Sequence, residues 1–178
     1  MSKYTKDELY NLIVNSPEEY NKWKKSQDDE IDLSEMDFSS VNLEQVDFSD
    51  ADLNGSAFAD AHLVEVNFKN ADLTSIDFTR STVLECDFTD AILPGADFSY
   101  ATVNYCNFTD SDMAGVIFEE TNLENSDFSA SVNLSACRFD EDTIWPEADM
   151  LPEDFDSQYS EDLSSLKDKD DETPVEDY

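Results

Sequence analysis

From Leu33 to Phe128 a large apolar residue stands at every fifth position, alternating between an aliphatic side chain and Phe. The aliphatic register runs Leu33, Leu43, Leu53, Leu63, Leu73, Val83, Leu93, Val103, Met113, Leu123. The aromatic register runs Phe38, Phe48, Phe58, Phe68, Phe78, Phe88, Phe98, Phe108, Phe118, Phe128. Two residues before each lies a small or β-branched residue, such as Ala71, Cys86 or Val116, with Met36 the one larger exception. Between these two positions the residue is usually polar, Asp in ten units and Asn in four. In–out–in alternation over three residues is a very short strand, and the two remaining residues are rich in turn formers. A period of five matches neither a helix at 3.6 nor a free strand at 2. It requires a chain that turns a corner every five residues, as in a solenoid.

Written at twenty residues per coil, the central residues fall into four pure columns. Leu33, Leu53, Leu73, Leu93 and Met113 form the first face, and Phe38 through Phe118 the second. Leu43, Leu63, Val83, Val103 and Leu123 form the third face, and Phe48 through Phe128 the fourth. The two Phe columns then face each other across the core. Leu93-Pro94-Gly95-Ala96 has the signature of a type II turn, and Gly55, Gly95 and Gly115, the only glycines, share that corner. After Phe128 the register slips. A step of six leads to Leu134, then five to Phe139 and five to Ile144, which predicts a one-residue bulge near Ser131-Val132. The alternative is that the regular helix stops at Phe128.

These units resemble the pentapeptide-repeat family, whose repeat is written A(D/N)Lxx. Ala71-Asp72-Leu73-Thr74-Ser75 and Ala51-Asp52-Leu53-Asn54-Gly55 are clean copies. The resemblance implies an all-β solenoid, a right-handed quadrilateral β-helix of about five to six coils at four units per coil. It also implies a class of partner. Some family members bind DNA gyrase or topoisomerase IV as duplex mimics and confer resistance to quinolones, and many relatives have no known function. Units 31–128 hold no inserted loop, whereas such loops matter for drug protection in several members.

A solenoid needs covered ends. Thr5-Lys6-Asp7-Glu8 reads as a capping box, with Leu9, Leu12 and Ile13 following at helical spacing. Ser16-Pro17 starts a second helix, and Tyr20 and Trp23 are placed to pack on the first coil. The expected organisation is an N-terminal helical cap over 1–27, the β-helix over 28–145, and an acidic, partly disordered segment over 146–178. Trp145, Met150, Leu151, Phe155, Tyr159, Leu163 and Leu166 either cover the open end or form a homodimer contact.

The chain carries 44 acidic and 10 basic residues, a net charge of −34. Residues 33–139 hold 20 acids and 3 bases, or −17. With coils ~4.8 Å apart, that is about one charge per 1.5 Å, against about one per 1.7 Å for duplex DNA. The outward acids form ladders: Asp32, Asp52, Asp72 and Asp112 on the first face; Asp37, Asp77 and Asp97 on the second; Asp47, Asp87 and Asp127 on the fourth. Like charges one coil apart repel by about 1 kcal/mol in water. These ladders are the candidate surface for a basic protein partner such as gyrase. Ordinary solubilising acidity explains them equally well.

The third face has no acid in that column and carries Val64, Leu84 and Tyr105 near Tyr100, a candidate docking patch for an interaction scaffold. His62 is the single histidine and no catalytic constellation, metal set or phosphate loop is present, so neither enzymatic activity nor a cofactor is expected. Cys86, Cys106 and Cys137 occupy inward positions and read as reduced core thiols. Neither a membrane nor direct nucleic-acid binding is expected, and the cytoplasm is the expected location.

Overall fold

The computed structural model describes residues 4–27 and 30–156. Helices α1 (Lys6–Asn15) and α2 (Pro17–Lys24) come first. Strands β1 (Ile31–Asp32), β2 (Asn42–Glu44), β3 (Ala51–Asp52), β4 (His62–Val64), β5 (Thr82–Leu84) and β6 (Thr102–Asn104) follow. Every strand pairing is parallel and joins residues twenty apart, Ile31 with Ala51, Leu43 with Leu63, Val83 with Val103. Isolated bridges carry the same step along the other faces, from Asp37–Ala57 to Asp112–Val132. The twenty-residue coil is therefore the structural unit.

Each coil turns four corners. Every fifth residue from Glu35 to Asn125 has a positive φ, between 49° and 71°. The left-handed region is easy for Gly and strained for residues with a Cβ. At Gly95 φ is 71° and the Ala96 N–H donates to the Leu93 carbonyl at 2.9 Å, the turn that Pro94-Gly95 predicts. The strand between two corners holds only three residues, so cross-coil hydrogen bonds do the pairing; the Phe68 N–H to Asp87 carbonyl bond, at 2.7 Å, is typical.

All twenty central residues are buried. Within each Phe column neighbouring ring centres lie 4.6–5.5 Å apart, mostly stacked. Between the two columns they lie 5.9–6.3 Å apart, mostly edge to face. Both arrangements suit the ring quadrupole and add about 0.5–1.5 kcal/mol per pair beyond burial.

The N-terminal helices close one end. Thr5 and Glu8 form the expected capping box, while Ser16 serves both helices without a side-chain cap bond. Leu9, Ile13 and Tyr20 are buried. Tyr10 stacks on Phe38 at 5.4 Å and Tyr20 lies 6.0 Å from Phe48, so each Phe column gains one more ring. Asn21 stands in for a missing coil. Its amide donates to the Gln45 carbonyl at 2.7 Å and accepts from the Asp47 N–H at 2.9 Å.

The other end departs from the expected register. Val132 still pairs with Asp112, twenty residues on, but Arg138 pairs with Ile117 and Ile144 with Asn122. One residue is inserted before each of the last two bridges. The first insertion falls at Asn133 (φ 60°), just past the expected position, and a 3-10 turn over Leu134–Ala136 brings Leu134 into the core. The second overturns an expectation. Ile144 is not central but sits outward and 51% exposed. The expected register put Asp142 inward, which would bury a carboxylate. Instead a turn over Asp140–Thr143 absorbs the extra residue, and the Thr143 hydroxyl points inward to the Phe118 carbonyl at 2.7 Å.

Trp145 meets Phe118, Phe128 and Phe139 edge on at 5.7, 6.1 and 5.2 Å, blocking both columns. Leu151 and Phe155 pack against the core, and the Phe128 N–H donates to the Met150 carbonyl at 2.7 Å. Residues 145–155 thus cover the open end of the coil. Tyr159, Leu163, Leu166 and the acidic tail lie outside the described residues.

Candidate interaction surfaces

The ladder carboxylates have a local task. In all ten ladder aspartates Oδ1 accepts the backbone N–H two residues on, at 2.8–3.1 Å. Asn67, Asn107 and Asn122 make the same bond, each at 3.0 Å. This is the Asx turn, in which the side chain imitates a preceding peptide carbonyl. The sequence carried a signal for it. Asp47, Asn67, Asp87, Asn107 and Asp127 alternate in one column, and the feature that Asp and Asn share is that oxygen.

Stacking along the ladders is as the period predicts. Asp32, Asp52 and Asp72 are bridged in succession, and Ile92 then interrupts them before Asp112. Asp77 and Asp97 are bridged on the second face, with Ala57 separating Asp77 from Asp37. On the fourth face the amides separate the charges, and Asn67 Nδ2 donates to Asp47 Oδ1 at 3.2 Å. Like charges there lie about 9.6 Å apart, two coils, which halves the repulsion expected for neighbours.

Most ladder aspartates are half-buried, while the carboxylates most open to solvent sit at the corners. Glu35, Asp50, Glu65, Glu85, Asp90, Asp110 and Glu120 are all exposed and all at positive φ. Reading only the ladder positions passes over them, although a residue number ending in 0 or 5 is their common mark. Asp50, Asp90 and Asp110 stand on the corner between the fourth and first faces, flanked by two ladders.

The basic residues of the repeat region are already engaged. Arg80 grips Asp60 with two bonds at 2.8 and 2.7 Å, Arg138 pairs with Glu119 at 2.6 Å, and Lys69 with Asp90 at 3.4 Å. The Arg80 hydrogen bond holds the Asp60 carboxyl below its usual range, as Lys6 does for Asp32 and the Ser39 side chain for Asp37.

The third face is built differently. β2, β4, β5 and β6 form one four-stranded sheet that stacks Asn42, His62, Thr82 and Thr102 in one row and Glu44, Val64, Leu84 and Asn104 in the next. Val64 and Leu84 are half-buried, while Tyr100 and Tyr105 are 56% and 64% exposed at the two corners that bound the face. The structure thus brings the four predicted patch residues to one side, with the tyrosines far more available than the aliphatics.

The three thiols are buried and free. Burial pushes the Cys137 thiol up to about 12, and burial with the neighbouring Cys86 thiol raises Cys106 well above its ordinary value. Among the described residues no helix is long and apolar enough to cross a membrane.

Comparison with known proteins gives a consistent family. The family model described as Pentapeptide repeats matches in eight copies, over residues 29–55, 42–80, 56–95, 71–104 and 91–129. Similar solved structures include QnrB1, a plasmid-mediated fluoroquinolone resistance protein, at 21% identity and a TM-score of 0.44, covering 63% of this chain and 59% of that one. The pentapeptide repeat protein Rfr23 from the cyanobacterium Cyanothece 51142 is 16% identical over 65% of this chain and 85% of that one, with a TM-score of 0.32. A pentapeptide repeat protein from the Arabidopsis thaliana thylakoid lumen is 31% identical over 56% of this chain and 66% of that one, with a TM-score of 0.22. No curated protein matches the chain.

Proposed function

This chain belongs to the pentapeptide-repeat family, and we propose that it is a non-enzymatic acidic rod that binds DNA gyrase, topoisomerase IV or another DNA-binding protein where a duplex would bind. The observation that carries this reading is the surplus of charge over structural need. An Asx turn needs one carbonyl-type oxygen, which Asn supplies as well as Asp. Of the thirteen residues of units 31–128 making that bond, ten are Asp, and their bonds are spread over the first, second and fourth faces. The corner acids add charge at positions where the backbone gains nothing from a carboxylate. The net charge per unit length, about one per 1.5 Å, is close to the value of about one per 1.7 Å for duplex DNA, and a basic DNA-binding groove gains from releasing its own counterions on meeting such a surface.

In this reading the exposed corner acids Asp50, Asp90 and Asp110 meet the partner first and the ladders Asp47, Asp87, Asp127 and Asp52, Asp72, Asp112 lie on either side. The protein works in the cytoplasm. The C-terminal cover leaves the rod short, and a homodimer through that end lengthens it toward the span of a gated DNA segment.

The test is gyrase supercoiling in vitro. The wild-type protein inhibits it, less so as salt rises, and the Asp50→Asn/Asp90→Asn/Asp110→Asn variant inhibits at least tenfold less. Equal inhibition by the two proteins would sink the charge model. A second reading, a docking scaffold that engages its partner through the third face, is favoured by the exposure of Tyr100 and Tyr105 beside a row, Asn42, His62, Thr82 and Thr102, that holds no acid.

A further inference from the structure

Tyr100 and Tyr105 are out of place for the fold. Both sit in the left-handed region, at φ 63° and 57°. Bulky side chains are disfavoured there, and Gly and Asn are favoured. The equivalent corners of other coils obey that preference or carry flexible polar chains: Asp60 and Glu120 in the Tyr100 column, Gln45, Glu65 and Asn125 in the Tyr105 column. Burial does not repay the strain, since both rings stand in solvent. Nor does backbone pairing, which is independent of side chain; the Tyr100 N–H reaches the Glu119 carbonyl at 2.9 Å like its neighbours in other coils. Two aromatic rings kept at a backbone cost and left exposed are explained by a contact outside the chain.

Their placement says what the contact is. Five residues apart, they bracket β6, one at each edge of the third face. Leu84 lies one coil below, and Ile144, exposed at the top of the same face, extends the apolar surface. Glu65 and Glu85 line the Tyr105 edge, and both are exposed. A second copy of this chain docking by the same face brings its own Glu65 and Glu85 to that rim, acid against acid. We propose that the third face docks a basic protein segment carrying aliphatic side chains, with Tyr100 and Tyr105 as the anchoring rings. The aliphatic groups lie on Leu84 and against the two rings, and guanidinium or ammonium groups pair with Glu65 and Glu85. This rests on the reading that the third face is a docking surface.

Two twelve-residue fluorescent peptides test it by anisotropy on the full chain, one alternating Arg and Leu, the other alternating Arg and Ser. Wild-type protein is expected to bind the Arg–Leu peptide at least tenfold more tightly. In Tyr100→Asn/Tyr105→Asn that ratio falls close to one, Arg–Ser binding is unchanged, and Tm is equal or higher because Asn accepts positive φ. A ratio that survives the double substitution, no preference in the wild type, or a Tm lowered by several degrees overturns the proposal. Arg–Ser binding reads the acidic surface alone, so failure of the acidic-rod reading appears there and leaves the ratio intact. Leu84→Ser separates the docking reading from the anchor assignment. If it abolishes the preference while the tyrosine variant keeps it, the face docks a segment but the rings are not its anchors.

Discussion

On the first, second and fourth faces an outward Asp or Asn takes up the N–H two residues on, and a C=O···H–N bond closes the corner, as from Ala91 N–H to the Phe88 carbonyl at 3.0 Å. On the third face His62, Thr82 and Thr102 hold the outward position, the strand runs one residue longer, and from Leu43 to Val103 no such bond closes the corner; the corner residues pair across coils as on every face, the Glu65 N–H to Leu84 carbonyl bond being 2.9 Å. The third face itself changes at Leu123. There Asn122 Oδ1 accepts the Glu124 N–H and the Ser126 N–H reaches the Leu123 carbonyl at 3.1 Å. Asn42, held in β2, shows that an Asn alone does not compel that turn. Three faces thus combine a structural hydrogen bond with a charge on one atom group, while the third leaves its surface free for shape and apolar contact.

The core beneath should be indifferent to this contrast. Phe88→Ala is expected to cost about 3–5 kcal/mol and Leu63→Ala, beneath the third-face sheet, about 2–5, both read by urea unfolding. A loss below about 1 kcal/mol at Leu63 would mean that the third-face sheet contributes little to cooperative stability. The corners come next. Gly95→Ala places a Cβ at φ 71° and should cost about 1–2 kcal/mol.

The Asx turn gives a finer comparison. Asp87→Ala removes the acceptor for the Thr89 N–H and should cost about 1 kcal/mol. Asp87→Asn keeps it, and Thr82→Ala, at the matching third-face position, has no such bond to lose; both should fall within about 0.5 kcal/mol of wild type. If Asp87→Asn proves as damaging as Asp87→Ala, charge rather than hydrogen bonding holds the turn.

The smallest effect is acid titration. Asp32, Asp37 and Asp60 are held below the usual carboxylate range in the folded chain. Their contribution is therefore present above about pH 4, the unfolded value, and is lost as pH falls through the lower folded values. Replacing all three by Asn should flatten the fall of stability below about pH 4, and an unchanged slope would assign acid unfolding to other carboxylates.

The five-residue period was enough to place both Phe columns, the Gly95 corner and the twenty-residue step, because each depends only on which residues point inward. Three things were not legible. Tyr10 on Phe38 is a contact between a helix and a coil, and nothing in the repeat encodes where a helix docks. The second insertion depended on the cost of burying Asp142, which competed with the apolar look of Ile144 and won. The corner acids were hidden because a positive φ is a property of the coil's geometry, visible only in retrospect as Gly55, Gly95 and Gly115 sharing a register with Asp50, Asp90 and Asp110.

Separability of charge from fold is the central claim, and the salt dependence of gyrase binding tests it most directly. Affinity of wild type and of Asp50→Asn/Asp90→Asn/Asp110→Asn is measured from low to physiological salt, with Tm recorded for both. The account predicts a variant Tm equal to or above that of wild type, a steep fall of wild-type affinity with salt, and a weaker, flatter dependence for the variant. Equal affinities and slopes at equal Tm would contradict it.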